Sequence, residues 1–478
     1  MRYLLHRVVQ TLVVVGFAIG SLGYARPAAA APSSIPTVRY FNETGHNIIG
    51  DIKAFYEARG DLPVFGLPLT EVISENGRQV QYFERARFEL HPELPAAYYV
   101  SLTHLGRQVA AGKSGIAFSP TASRGTRGNA FFPETNHNVF GIFLSYWGKR
   151  GGVPAFGYPL SEEFEEVSPT DGVTRIVQYF ERARFEYHPD AAVGQQVQLG
   201  LLGRQALDRS SVVAAARRPA PVLGVLGTAT TSYYGSYAER VNNIARSAGN
   251  MSGLIVQPGA TFSFNANIGA TGTESGYVEG YAIVGGRLEK VVGGGICQVS
   301  TTMYRAVFNA GLEIVARRNH SYVINFYENI NGWDATVYAP YTDFKWRNDT
   351  AGPVWIYSST NPDKATVTFT IFGYDDGRRV EMVGPTVTNI IQPGKPAWQY
   401  DPNFAKGKVS QLVHGRPGMD VAMQRVVTTA DGKILRRDNL PSKYKPWEDF
   451  YVYGPGVTPP KGVTIIPATA KPVAPTAP

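Results

Sequence analysis

Apolar residues recur along this chain with two different periods, and the change from one to the other divides it. Ile48, Ile52, Phe55 and Tyr56 fall 4, 3 and 1 positions apart, which places them on one face of a helix. Val139, Phe143, Tyr146 and Trp147 repeat that spacing. Asn47 and Asn138 stand where a helix cap is expected, and Gly60 and Gly151 where a helix ends. Downstream of each helix, the string Gln-Tyr-Phe-Glu-Arg-Ala-Arg-Phe-Glu, starting at Gln81 and again at Gln178, reads as a strand or hairpin. Its Glu84, Arg85, Arg87 and Glu89 are expected to form a solvated, mutually paired face. From about Leu223 the texture turns to Gly, aromatic and β-branched residues. Helical spacing returns there at Val299, Met303, Ala306, Val307 and Ala310, a stripe that Gly311 can end. Strand-like runs follow over 312–316, 321–327, 334–338, 353–357 and 365–372, and turns as short as 329–332 between them predict an antiparallel sheet.

Longer strings repeat as well. Phe41-Asn-Glu-Thr-Gly-His-Asn47 returns as Phe132-Pro-Glu-Thr-Asn-His-Asn138, and Leu105-Gly-Arg107 as Leu202-Gly-Arg204. The offset grows from 91 to 97 residues, so the second copy carries a six-residue insertion, placed in a turn near 167–173. The expected organisation is a leader over 1–31, one repeat over 38–115, a second over 130–211, an Ala/Arg/Pro linker over 212–222, a central domain over 223–375, a β-rich module over 378–456, and a Pro-rich spacer over 457–478. The fold class is α+β and multidomain: two α+β repeats, a Gly-rich antiparallel α+β domain, and the β-rich module. Phe65-Gly-Leu-Pro-Leu69 and Phe156-Gly-Tyr-Pro-Leu160, each followed by the Gln-Tyr-Phe-Glu strand, loosely resemble the LGFP repeat of bacterial cell-wall proteins. That resemblance implies attachment to the envelope. His46, His91, His137 and His188 read as packing or capping groups, because no tight ligand spacing or neighbouring cysteine accompanies them.

The compartment follows from the first residues. Arg2, His6 and Arg7 precede an apolar run over 8–25 and a small-residue exit at Ala28 to Ala31, the three parts of a secretory signal peptide. An uncleaved anchor is the alternative, since about 18 apolar residues are marginal for a span. After cleavage no membrane span is expected. The whole chain has a formal charge of +8; without the leader, 43 basic residues face 38 acidic ones. That surplus suits peptidoglycan or another anionic cell-wall polymer. No Lys/Arg cluster interleaves with stacking aromatics, so no nucleic acid partner is expected. No nucleotide-binding glycine loop or metal-ligand cluster stands out, so no cofactor and no metal are implied.

The chemistry concentrates at one place. Cys297 is the chain's single cysteine, so no disulfide can form within it. Gly293, Gly294 and Gly295 deliver it to the expected helix start, where the helix dipole favours a thiolate by up to about 1 kcal/mol. The glycines can expose backbone N–H groups as an oxyanion hole. One histidine, His320, lies between Leu226 and Tyr374, and Asp334 opens a later strand-like run. In the catalytic reading Cys297 attacks an amide carbonyl, His320 shuttles protons, and Asp334 orients the imidazole, with Asp343 as the alternate acid. In the structural reading Cys297 is a small buried residue, His320 bonds a loop carbonyl, and the glycines permit a tight turn. Gln298, Ser300 and Arg318 are candidates to line a pocket, or are caps and surface groups.

Thiol at a helix start, then histidine and aspartate on adjacent strands, is an order that resembles papain-like and transglutaminase-like cores. The blocks Gln257-Pro-Gly-Ala-Thr-Phe-Ser-Phe-Asn265, Gly276-Tyr-Val-Glu-Gly-Tyr281, Gly293-Gly-Gly-Ile-Cys-Gln-Val-Ser-Thr-Thr-Met-Tyr304, Arg318-Asn-His-Ser321, Asp334-Ala-Thr-Val337 and Asp343-Phe-Lys-Trp346 resemble the VanW family. This resemblance implies an exported envelope protein. Val413-His-Gly-Arg-Pro-Gly-Met-Asp420, Arg425-Val-Val427, Asp431-Gly-Lys433 and Ser442-Lys-Tyr-Lys-Pro446 resemble G5-type domains, in which the Asp-Gly pair is a hairpin turn. They imply contact with amino-sugar polymers or a plain structural module. The leading expectation is a cysteine-dependent hydrolase or acyl transferase acting on peptide amide bonds of peptidoglycan. The alternative is a non-catalytic cell-wall binding protein. An accessible thiol with His320 in reach fits the first; a fully buried, unpartnered thiol fits the second.

Overall fold

A computed structural model describes residues 35–466 except 213, 285–286 and 325–329. The expected leader, the end of the strand-like run 321–327, the start of the turn 329–332, and the end of the Pro-rich tail lie partly or wholly outside the described residues. Among the described residues no helix is long and apolar enough to cross a membrane.

Two consecutive segments build the same series of elements. In the first, a hairpin (Val38–Phe41 with His46–Ile49) leads into the helix Gly50–Ala58 and the short helix Asp61–Phe65. A four-stranded antiparallel sheet (Ile73–Glu75, Arg78–Tyr82, Arg87–Leu90, Val100–Leu102) and the helix Leu105–Ala110 complete it. The second runs from Asn129–Phe132 to the helix Leu202–Arg209, and its longer turn falls between Phe164–Val167 and Thr174–Tyr179. Ile52, Tyr56 and Phe143 are buried on the helix faces, but Ile48 sits in the preceding strand. Neither Asn47 nor Asn138 caps a helix. The Asn47 amide N–H instead donates to Glu71 Oε1 at 2.8 Å, and its side chain bonds Pro221 O and Leu223 N. His46 and His137 each lie 3.4 Å from a buried glutamate, Glu71 and Glu162, which makes them parts of the hairpin anchor.

The two segments exchange their last helices. Arg107 N donates to Glu181 O at 2.9 Å, and reciprocally Arg204 N donates to Glu84 O at 3.0 Å. The helix backbones approach so closely that a Cβ on Gly106 would lie 1.9 Å from Phe180 O, and one on Gly203 2.0 Å from Phe83 O. The expected charged face is half-buried, with Arg87 paired to Glu89 and Arg85 near Glu84. Arg184 and Glu186 are buried against each other, and Arg87 contacts Glu75 at 2.7 Å. Closure by the other segment is the reason: Ser210 Oγ donates to Glu75, and Lys113 pairs with Glu166.

The central domain is an antiparallel sheet in the order Leu223–Ser232, Thr366–Tyr374, Val354–Asn361, Leu254–Val256. Alternation along its strands buries both faces. Val354 and Ile356 join the core beneath the helices Ala238–Met251 and Ile296–Asn309, whereas Trp355, Tyr357 and Phe372 pack against the first repeat. The stripe Val299, Met303, Ala306 and Val307 faces the sheet, each residue of it fully buried. Burial of a large aliphatic side chain of this kind contributes roughly 1.5–3 kcal/mol. The opposite face of that helix is also covered, so every residue from Gln298 to Phe308 is buried.

What covers it includes the C-terminal module. The long strands Arg379–Ile391 and Gly418–Thr428 pair with each other, and Ile434–Asn439 and Ser442–Tyr444 pair with the second of them. Asp431 and Gly432 stand in the turn before Ile434–Asn439. A second sheet joins Val409–Val413, Phe450–Tyr453, Ala397–Tyr400 and Thr464–Ile466, with parallel pairing at Ala397–Tyr400. Arg425, fully buried, pairs with Asp438 at 2.6 Å and donates to Leu312 O at 2.7 Å and Phe308 O at 3.2 Å. It adds a second donor to the Phe308 carbonyl near the helix C-terminus, which Gly311 N also reaches, and holds the Leu312 carbonyl just beyond the helix.

The candidate thiol site

Cys297 is the second residue of the helix Ile296–Asn309. Gly295 precedes the helix at φ 115°, a backbone conformation that glycine adopts without a Cβ penalty. The N–H groups on either side of Cys297 are used locally: Ile296 donates to Gly293 O and Gln298 to Gly295 O. The Cys297 amide, in the first turn of the helix, has no hydrogen-bond acceptor among the described residues.

Cys297 is half-buried, with Thr336 Oγ1 and Val337 O each 3.4 Å from Sγ. His320 stands near enough to lower the thiol's pKa. On its other side, His320 Nδ1 lies 2.6 Å from Asp334 Oδ2, and the His320 backbone N–H donates to the same oxygen at 2.7 Å. With Nδ1 so engaged, Nε2 is the nitrogen left for the sulfur. The second Asp334 oxygen accepts from Tyr444 Oη at 2.6 Å and from Arg317 Nη2 at 3.1 Å.

This arrangement sets the charges. Burial alone would raise the Cys297 thiol, but the hydrogen bond from His320 and its charge carry it from 9.0 down to about 7. Burial likewise opposes the His320 cation, yet Asp334 and the thiolate together raise its pKa to about 10. Asp334, despite its burial, is held at about 2 by His320 and Arg317. These protons belong to the coupled group as a whole. Near and above neutral pH the stable form is a thiolate beside an imidazolium, the reactive state of a cysteine nucleophile.

The structure brings Cys297, His320 and Asp334 together, and the other expected residues serve the scaffold. Gln298 turns away, donating to Thr231 Oγ1 at 3.0 Å and Ser232 O at 2.8 Å. Ser300, fully buried, donates to Ala335 O and ties the helix to the Asp334 segment. Asp343 accepts from Ser263 Oγ at 2.6 Å and Asn265 N at 3.0 Å, holding the start of the helix Phe264–Ile268. Arg318 contributes its carbonyl to Thr336 N. Gly293 N–H is spent on Val278 O and Gly294 O accepts from Asn243, so the glycines shape the turn. His320 and Asp334 lie on extended stretches outside the named strands, joined by the Thr336–Arg318 bond, rather than on a regular hairpin. Thr336, Arg317 and Tyr444 carry no signal in the sequence. Among the described residues no group of His, Cys, Asp and Glu could hold a metal ion.

A buried acid, a histidine and a helix-start thiol thus meet in the central domain. Residues 239–371, the bulk of the central domain, match the family model described as VanW like protein. Over 131 residues the chain is 40% identical to "Uncharacterized protein YoaR" of Bacillus subtilis (strain 168), covering 27% of this chain and 43% of the relative. Over 129 residues it is 32% identical to "Vancomycin B-type resistance protein VanW" of Enterococcus faecalis (strain ATCC 700802 / V583), covering 26% of this chain and 46% of the relative. The chain thus spans less than half the length of these curated relatives. Two solved structures, titled "IgA1 Protease G5 domain structure" and "Crystal structure of HP0197-G5", are each 22% identical over 16% of this chain. They cover 86% and 95% of those chains at TM-scores of 0.10 and 0.09, and neither likeness bears on function.

Proposed function

We propose that this chain is an extracytoplasmic, envelope-associated thiol enzyme that cleaves or transfers peptide amide bonds of peptidoglycan through Cys297, His320 and Asp334. One observation carries the reading: the single cysteine is half-buried beside a histidine that lowers its pKa and is itself 2.6 Å from a buried carboxylate. The VanW match and the basic surplus of the chain support an envelope polymer as the partner.

The Cys297 thiolate adds to the amide carbonyl carbon, and the oxygen takes the negative charge. The Cys297 amide N–H, next to the attacking sulfur at the positive end of the helix, stabilises that oxyanion. His320 gives its Nε2 proton to the departing amine as the carbon–nitrogen bond breaks, which leaves a thioester on Cys297. Water or an acceptor amine then loses a proton to His320, attacks the thioester and releases the thiolate. Asp334 fixes the ring throughout by holding Nδ1–H.

The experiment is digestion of purified peptidoglycan by wild type and Cys297→Ser, with new amines and released muropeptides followed chromatographically. Turnover by wild type that falls at least ~10³-fold in the variant is expected for a lost nucleophile. Equal activity of the two proteins would remove Cys297 from the chemistry. Retention on the polymer by both, with turnover by neither, would make this a wall-binding protein.

A further inference from the structure

The loop that carries His320 is held by the C-terminal module rather than by the central domain alone. Asn319 Nδ2 donates to Lys443 O at 3.0 Å, and Lys445 N donates to Ser321 O at 2.8 Å. Tyr322 packs on Trp447 with ring centroids 4.9 Å apart, and Val323 is buried with Met419, Val421 and Tyr444. The Asp334 side of the site is gripped from the same strand, Ser442–Tyr444. Arg317, which bonds Asp334 Oδ1, also donates to Ser442 Oγ at 2.9 Å and Pro441 O at 3.2 Å. Tyr444 Oη stands between two groups of the Asp334 segment. It donates to Asp334 Oδ1 at 2.6 Å and accepts from Gly332 N at 3.0 Å.

We infer that Tyr444 is a positioning residue for Asp334, so that the thiol site is completed by a strand of the C-terminal module, outside the segment that the family match covers. This inference rests on the proposed catalytic role of the triad. Tyr444 sits 110 residues from Asp334 in sequence, and its hydroxyl bonds the carboxylate. Its effect passes through the carboxylate. The hydroxyl supplies one of the bonds that keep Asp334 charged and aimed at His320 Nδ1, and a buried carboxylate deprived of a donor holds its charge less well.

Among the described residues, charged and titratable groups meet Asp334 from several elements. His320 and Arg317 bond it directly, Tyr444 faces it from the module, and Tyr304 faces it from the central helix. Arg305, from the same helix, donates to Trp333 O at 2.7 Å, one residue away. Tyr444 is the member of this set that can lose its polar atom while keeping its ring in the apolar cluster with Val323, Met419 and Val421.

The test uses the full chain with Tyr444→Phe and, beside it, His320→Ala. The rate of Cys297 alkylation by iodoacetamide is measured from pH 5 to pH 10, together with kcat on peptidoglycan. Tyr444→Phe is expected to move the thiol titration toward higher pH and to slow alkylation at pH 7 by about 2- to 5-fold, as the smaller thiolate fraction requires. His320→Ala should move it further in the same direction. Superimposable profiles for Tyr444→Phe and wild type, with His320→Ala displaced, would overturn the inference and leave the triad standing. Profiles unmoved in both variants would overturn both. Should Tyr444→Phe fail to fold, Ser442→Ala, which loosens Arg317 from the same strand, must move the titration in the same direction or the inference falls.

Discussion

Asp334→Asn is the substitution that tests the electrostatics of the site most directly. The Asp334 carboxylate accepts from His320 Nδ1, the His320 backbone, Arg317 and Tyr444, two donors on each oxygen. An asparagine in its place turns an NH2 group toward two of those donors whichever way its amide is flipped. It also removes the charge facing Arg317 and His320. Breaking a buried pair from one side costs roughly 3–5 kcal/mol.

The pH dependence separates this from a mere packing loss. The folded pKa of Asp334 is lowered to about 2, so its contribution is complete above the ordinary carboxylate value of 3.8 and is lost as pH falls toward 2. His320 is raised to about 10, so its contribution is complete below 6.5 and is lost as pH rises through 10. Both are in force between about pH 4 and 6.5, and there the gap between wild type and variant should be widest. Without the carboxylate, burial dominates at His320 and the imidazolium is lost at neutral pH. The thiol then returns to 9 or above from about 7. At pH 7 the thiolate fraction drops from about one half to about 1%, so alkylation slows roughly 50-fold. Urea denaturation from pH 3 to 10 and iodoacetamide kinetics read the two effects. A stability gap that does not vary with pH, together with an unmoved alkylation profile, would refute the reasoning.

Two further predictions concern the scaffold. Gly106→Ala, and equally Gly203→Ala, forces a methyl into a backbone carbonyl across the paired repeats, and should lower stability by about 1–3 kcal/mol in equilibrium denaturation. An unchanged midpoint for either would mean that the repeats are not packed as described. Arg425→Leu removes the buried partner of Asp438 and a donor to the Phe308 and Leu312 carbonyls, and is expected to cost about 3–5 kcal/mol with a loss of thiol reactivity smaller than that of Asp334→Asn. A neutral outcome would show that the module does not support the helix end.

The thiol site is legible in the sequence where local rules govern it. A glycine run before an apolar stripe announces a helix start, and Cys297 stands two residues past Gly295 for that reason. His320 is the one histidine between Leu226 and Tyr374, and Asp334 is the first aspartate to follow it. The orientation of their neighbours is not legible, because periodicity assigns a face only when one face is exposed. Gln298 reads as available, yet the central helix is covered all round and its amide is spent on Thr231 and Ser232. Asp343 reads as equivalent to Asp334, and only the folded position of Ser263 makes it a helix-start acceptor. In the repeats, Ile48 fits a helical spacing by coincidence with a strand that runs straight into the helix. Tyr444 gives no signal at all, since a tyrosine on a short strand announces nothing about a carboxylate 110 residues away.

The exchange of terminal helices between the repeats limits how this protein can vary. In an open array each unit offers its free end to the next, and copies can be added by duplication. Here the docking groove of each unit, lined by Phe83 and Ala86 or by Phe180 and Ala183, is already filled by the other unit's glycine-bearing helix. The contact is self-complementary, as in a two-fold dimer, and closes at two. A third copy inserted between 115 and 130 would find no unoccupied groove, and loss of one copy would leave the survivor's groove open to water. Copy number in this chain is therefore a property of the interface, and related chains that keep Leu-Gly-Arg in the repeats should carry them in pairs.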